Sequence, residues 1–175
     1  MFDSIDGLPL HPLASHAAVV LLPLAGLLGL VFAVPRSRRW ATVPLPLTAL
    51  GAALAATVAV RSGRALQEAG GLAASGLGGS VGSLVQEHSE LGNLLQILAW
   101  VYAALALLAA GVQLAITQRP QSEPRSRPLH LSVLALSVAL VIGALALGVQ
   151  TYRVGELGAR AVWNPAGVVD YSTDD

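Results

Sequence analysis

Four long apolar stretches, separated by shorter polar segments, dominate the hydropathy pattern of the chain. Each is at least as long as the roughly 20 helical residues that cross the hydrocarbon core of a bilayer. Backbone groups in lipid must find hydrogen-bond partners inside their own segment, so each stretch is predicted to be a helix. The predicted spans cover about residues 12–34, 41–60, 91–117 and 129–152.

The connections between these spans complete a single membrane domain over residues 1–175. The longest connection is residues 62–90, and a tail follows from residue 153. The first part of the connection 62–90, "SGRALQEAG", predicts a short helix on the membrane surface. The part that follows, "GGLAASGLGGSVGS", predicts a flexible spacer. An even number of spans with short connections favours an all-α fold, an antiparallel bundle of four transmembrane helices.

Small residues recur at four-residue spacing within two of the spans. Such ridges let membrane helices approach closely, which is where lipid-embedded helices gain their packing energy. We therefore predict packing ridges on the second and fourth spans, formed by Gly51, Ala55 and Ala59 and by Ala135, Ala139 and Gly143.

Composition supports a lipid environment and excludes several classes of protein. Hydrophobic residues make up 54% of the chain and charged residues only 11%, whereas soluble domains carry about 25% charged residues. The formal net charge is zero, which gives no support to a nucleic-acid partner. The absence of cysteine excludes disulfides, zinc–thiolate sites and thiol catalysis.

The arginines predict the orientation of the chain in its membrane. The first and third connections hold six of the ten basic residues, and short loops rich in arginine stay in the cytoplasm. Both termini and the segment 62–90 are then extracytoplasmic. The first span follows Asp3 and Asp6 without a preceding arginine and is longer than a signal peptide, so we expect it to be retained.

Three of the four histidines fall at the extracytoplasmic end of the predicted bundle. His11 and His16 flank the start of the first span, and His88 precedes the third. Glu156, after the fourth span, reaches the same end, whereas His130 lies at the opposite end. Ionisable residues at or within a span are functional candidates.

Three interpretations of this cluster stay open. The side chains can cap helices and meet water as a polar rim. Alternatively, two histidines, most simply His16 and His88, can hold haem b as axial ligands, with His11 as a further cofactor-binding candidate. A third interpretation is a transition-metal site of His11, His16, His88 and Glu156, a nitrogen and oxygen set suited to zinc, iron or copper.

Four segments of the chain resemble a known family: "DGLPLHPLASHAAVVLLPLAGL", "RRWATVPLPLTALGAALAA", "EHSELGNL" and "VGELGARAVW". They are similar to a bacterial family of predicted four-span membrane proteins, the domain of unknown function numbered twenty-two thirty-one. The resemblance implies four helices with both ends, and the histidines, on one side. It also implies a further histidine at the position that Glu156 holds here, a departure that counts against a site of three or four histidines.

Together these observations predict an integral membrane protein that binds haem or a metal in an electron-transfer role. The alternative is a cofactor-free structural or accessory subunit that docks a partner. An enzyme has little support, because no nucleophile–base or paired-carboxylate arrangement is recognisable. The expected surroundings are the lipid bilayer and another membrane protein or redox partner; the sequence does not specify the cofactor, the pathway or the oligomeric state.

Overall fold

The computed structural model describes residues 4–5, 8–69, 80–120 and 127–164. Residues 70–79 of the predicted spacer and residues 165–175 of the predicted tail lie outside this range. In chain order the elements are β1 Ser4–Ile5, β2 Leu8–Pro9, α1 Leu10–Ala33, α2 Arg38–Ala41, α3 Pro44–Ala69, α4 Ser80–Thr117 and α5 Arg127–Trp163. The two short strands pair antiparallel directly before α1.

The four long helices form the predicted all-α membrane bundle, which is confirmed. Each is long and apolar enough to cross a membrane. Helix α1 packs against α3 and α5, and α4 packs against the same two helices. The order around the bundle is therefore α1, α3, α4, α5, with α1 diagonal to α4. We call the end where α1 and α4 begin the histidine end.

At the histidine end the helices extend beyond the predicted spans. Helix α3 continues to Ala69, α4 starts at Ser80 and α5 runs to Trp163. Residues 62–69 of the segment "SGRALQEAG" therefore continue α3 instead of forming a separate surface helix. Its alanine, leucine, glutamine and glutamate residues favour helix, and nothing in it interrupts the hydrogen-bond ladder. With 37 residues, α5 is about 55 Å long, well over the roughly 30 Å of hydrocarbon.

Alanine rows pack the centre of the bundle, but not all in the predicted register. On α3 the fully buried row includes Ala49, Ala52, Ala53 and Ala56. Gly51 and Ala55 are only half-buried and Ala135 is exposed. The buried face of α5 includes Val133, Ser137, Leu140 and Leu147. Ala59 and Gly143 of the predicted ridges do face the core. Small residues are abundant on every face of these helices, so spacing alone did not identify the packed one.

Tyr102 is the largest fully buried side chain in the described bundle. It lies on α4, and its hydroxyl donates a hydrogen bond of 3.3 Å to the carbonyl oxygen of Ala25 on α1. A Cβ atom on Gly29 would collide with the tyrosine hydroxyl, and one on Gly143 would lie 2.7 Å from Cδ2. Two glycines on α1 and α5 thus create the space that this ring occupies.

Arg38 lies at the end of the bundle opposite the histidine end. Its Nε donates to the carbonyl of Phe32 at 3.0 Å, and its Nη2 donates to the carbonyl of Ala33 at 3.2 Å and to Ser137 Oγ at 3.3 Å. The guanidinium also lies 5.5 Å from the centre of the Phe32 ring. Partial burial lowers the pKa of Arg38. This arginine satisfies the free carbonyls at the end of α1 and ties α1 to α5.

Candidate functional site

A cavity of about 640 Å³ opens between the four long helices at the histidine end. Its walls are predominantly apolar, with alanine, valine, leucine and glycine from all four helices. Two of the histidines, His11 and His88, face each other across it. We call it the histidine cavity.

His11 lies in the first turn of α1 and is held by α3. Its Nδ1 is 2.8 Å from the carbonyl oxygen of Ala59. Because a carbonyl oxygen can only accept, Nδ1 carries the proton in this hydrogen bond. One turn further along α3, a Cβ atom on Gly63 would lie 3.0 Å from Nδ1 and 3.1 Å from Cε1 of the same ring. The missing side chain at Gly63 allows the imidazole to lie close against α3.

His88 is held by α5 in the same way. Its Nδ1 donates to the carbonyl oxygen of Val154 at 3.0 Å. A Cβ atom on Gly158, one turn later, would lie 3.2 Å from Cε1 and 3.5 Å from Nδ1 of the ring. Each histidine is thus oriented by a carbonyl on the neighbouring helix and given space by the glycine four residues after that carbonyl.

The two imidazoles meet across the bundle with ring centres 6.3 Å apart and planes at 89°. They belong to the diagonal helices α1 and α4, so the space between them is the middle of the bundle. Both Nδ1 atoms bond to flanking helices, and neither Nε2 has a hydrogen-bond partner among the described residues. In a neutral imidazole with the proton on Nδ1, Nε2 has a free lone pair.

His16 and Glu156, the other predicted ligands, are placed differently. His16 lines the cavity, but its ring is exposed and its Nδ1 donates to the carbonyl of Pro12 in its own helix at 2.6 Å. Glu156 forms an ion pair of 2.6 Å with Arg160, one turn later on α5. Across the described ranges, no three histidine, aspartate or glutamate side chains are close enough to hold a metal ion together.

Thr151 contributes an unusual buried hydroxyl to the wall of the cavity. Its Oγ1 is buried and has no hydrogen-bond partner among the described residues. Hydroxyls elsewhere on these helices donate to the carbonyl four residues earlier, as Ser15, Ser62 and Ser137 do. Thr151, which is 9% exposed, does not, and its hydroxyl is left without an acceptor.

Arg64 is the charged residue at the rim of the cavity. Among the described residues that line it, Arg64 is the one arginine, and no aspartate or glutamate is present. Its Nη2 donates to Asn93 Oδ1 at 2.6 Å, so the guanidinium bridges α3 and α4. This hydrogen bond occupies one of the five guanidinium N–H groups.

The model of the family of predicted membrane proteins DUF2231 matches residues 7–170, nearly the whole chain. The chain belongs to this family. The match confirms the resemblance found in the four sequence segments and supports a multi-pass membrane protein. No significant match to the chain was found among curated proteins or among solved structures.

Several residues of the cavity were not predicted from the sequence. The sequence located the histidines at one end, but it paired His16 with His88, whereas the ring opposite His88 belongs to His11. The importance of Gly63, Gly158 and Thr151 was also missed. Because alanine and glycine are abundant throughout α3 and α5, no signal in the sequence set these two glycines apart.

Proposed function

We propose that this DUF2231 protein binds one haem b in the histidine cavity, with His11 and His88 as the two axial ligands, and serves in electron transfer. The observation that carries the proposal is that the two imidazoles are hydrogen-bonded in the same way. Each donates Nδ1–H to a backbone carbonyl and leaves Nε2 free. Metal-binding histidines are typically oriented by such a hydrogen bond from the other ring nitrogen, which sets the tautomer and raises ligand basicity.

The separation of the rings supports the same assignment. Two imidazoles bound through Nε2 to one metal ion, with metal–nitrogen bonds of about 2.0–2.1 Å, have ring centres roughly 6.0–6.5 Å apart. The centres of His11 and His88 are 6.3 Å apart. This separation supports one metal ion held between the two rings.

The size and polarity of the cavity favour haem over a bare metal ion. A volume of about 640 Å³ lies within the roughly 300–1,000 Å³ typical of pockets for small molecules and cofactors. Structural zinc takes four protein ligands and catalytic zinc three, but the described residues offer only this histidine pair. In haem the macrocycle supplies the remaining four nitrogens, so two histidines complete the coordination.

Two protein ligands also favour electron transfer over catalysis at the iron. Haem enzymes and oxygen carriers leave one axial position open for a substrate or oxygen. With His11 and His88 both bound, that position is filled. The role then requires a redox partner, either a second membrane protein or a protein that docks at the histidine end.

The experiment is a visible spectrum, with and without dithionite, of protein purified in mild detergent from haem-sufficient cells. A Soret band that sharpens on reduction and corresponds to a single haem per chain is the expected result. His11→Gly and His88→Gly should each abolish the native spectrum, and added imidazole should restore it. Rescue by imidazole separates loss of a ligand from loss of the fold.

His16→Gly is the matched control, because His16 lines the same cavity with its ring exposed. It should retain the native spectrum. Retention in His11→Gly together with loss in His16→Gly would instead assign the pair predicted from the sequence, His16 and His88. A colourless, well-folded wild-type protein would overturn the proposal and favour a cofactor-free accessory subunit, and bound metal without a Soret band would favour a non-haem site.

We also propose that the histidine end faces the outside of a bacterial plasma membrane. The short connections at the opposite end carry the larger share of the arginines, including Arg36, Arg38 and Arg39, and such loops stay in the cytoplasm. A cysteine introduced at the C-terminus should react with a membrane-impermeant maleimide in intact cells. Labelling only after lysis would reverse the orientation.

A further inference from the structure

We infer that Arg64 binds the carboxylate groups of the cofactor, so that the cofactor is a dicarboxylic tetrapyrrole with its acidic edge at the rim between α3 and α4. This inference rests on the proposed function and adds the orientation of the ligand. It also identifies a binding residue that does not touch the metal.

The inference rests first on the charges around the cavity. Apart from the histidines, Arg64 is the ionisable residue in the described lining, and no acidic side chain neutralises it there. An apolar neutral ligand would gain nothing from this charge. A ligand with carboxylates would be stabilised by it, because ionised groups at the edge of a membrane are stabilised by pairing or by hydration.

The inference rests second on the position of the Arg64 guanidinium. Arg64 directly follows Gly63, the residue against which His11 packs. Arg64 therefore lies at the level of the His11 ring along α3, where it could bind a carboxylate at the edge of a ligand held by His11. The hydrogen bond to Asn93 holds the guanidinium at the α3–α4 rim, and its other N–H groups can bind a carboxylate.

The rim between α1 and α5, opposite Arg64, carries apolar side chains. Between α1 and α5 the cavity is lined by Val19 and Val162, which are 52% and 71% exposed on the outside of the bundle. Both side chains are apolar and offer no group that could bind a carboxylate. The two rims therefore favour one orientation, with the carboxylates toward α3 and α4 and the methyl and vinyl edge toward α1 and α5.

The test compares haem b with its dimethyl ester, in which both carboxylates are blocked. Each is titrated into haem-free protein in detergent, and affinity is read from the Soret band. The wild-type protein should bind the free acid about tenfold more tightly, as expected for one charge-assisted hydrogen bond. Arg64→Gln should bind the two forms almost equally, and Arg64→Lys should restore part of the preference.

Arg61→Gln is the matched control, since Arg61 is exposed on the same helix and does not line the cavity. It should keep the full preference for the free acid. Equal binding of both forms by the wild-type protein would overturn the inference and leave the haem proposal intact. So would a preference that survives Arg64→Gln but disappears in Thr151→Val, which would place the carboxylates at the buried end. Failure of both forms to bind any variant would instead overturn the proposed function.

Discussion

Gly158 of α5 leaves room for the imidazole of His88, since a Cβ atom on this glycine would lie only 3.2 Å from Cε1 of the ring. The carbonyl of Val154, one turn earlier, fixes the same ring through Nδ1. The His88 ring therefore cannot move away from Gly158 without losing its hydrogen bond to Val154. The pairing of Gly63 with His11 repeats this arrangement on the other side of the cavity.

Gly158→Ala should therefore weaken cofactor binding while leaving the bundle folded. The added methyl group pushes the His88 ring by a few tenths of an ångström and disturbs its alignment with the metal. We expect about a tenfold loss of haem affinity, equivalent to about 1.4 kcal/mol. Gly148→Ala on the same helix, where a Cβ atom meets nothing within 4 Å, should leave affinity unchanged. Equal affinities in the two variants would show that the Gly158 contact does not position His88.

The packing of Tyr102 predicts a selective rescue. Gly29→Ala should destabilise the protein by about 1–3 kcal/mol, the usual cost of overpacking a core, because the new methyl group collides with the tyrosine hydroxyl. Tyr102→Phe removes that hydroxyl and should recover much of the loss. It should not rescue Gly143→Ala, whose methyl group would meet ring carbon Cδ2 at 2.7 Å.

Thermal unfolding in detergent measures this cycle. Gly111→Ala, at a position with no atom within 4 Å of an added Cβ, controls for the general effect of replacing a helical glycine. Rescue of both glycine variants by Tyr102→Phe, or of neither, would contradict the contacts described for the ring.

Two threonines should respond in opposite ways to replacement by valine. Thr57 Oγ1 accepts hydrogen bonds from Gln96 Nε2 at 3.1 Å and from Trp100 Nε1 at 3.0 Å. Thr57→Val leaves both donors without an acceptor in a lipid environment, at a cost of about 1–3 kcal/mol. Thr151→Val removes a buried hydroxyl that already lacks a partner, so it should leave the haem-free protein as stable or more stable.

Unfolding temperatures of the two haem-free variants, compared with the wild type, provide the measurement. A loss of stability in Thr151→Val comparable to that in Thr57→Val would mean that the Thr151 hydroxyl has a partner within the folded chain.

Arg38 should be needed for stability through hydrogen bonding as well as charge. Arg38→Met leaves the carbonyls of Phe32 and Ala33 without their side-chain donor, and we expect a loss of about 1–3 kcal/mol. Arg38→Lys should recover only part of it, because an ammonium group lacks the planar fork of donors. The neighbouring Arg39 is exposed, so Arg39→Met should change the unfolding temperature little. Similar losses at the two positions would point to a general charge effect.

Much of the architecture follows from local sequence properties. A run of apolar residues in lipid must form a helix, because the bilayer offers its backbone no other hydrogen-bond partners. The positions of His11 and His88 relative to those runs placed both residues at the same end of the bundle. Helix ends were less predictable: residues 61–69 and 80–90 contain polar groups and so resemble a connection, yet they continue α3 and α4.

What the sequence determined by itself is the class of protein, the number of spans and the end at which the histidines gather, since these depend on hydropathy and chain order. Only the tertiary structure decided that His11 opposes His88 while His16 turns back to Pro12. That choice depends on the rotation of each helix and on carbonyls and glycines of neighbouring helices, such as Ala59 and Gly158. These relationships join residues far apart in the chain, and no local pattern specifies them.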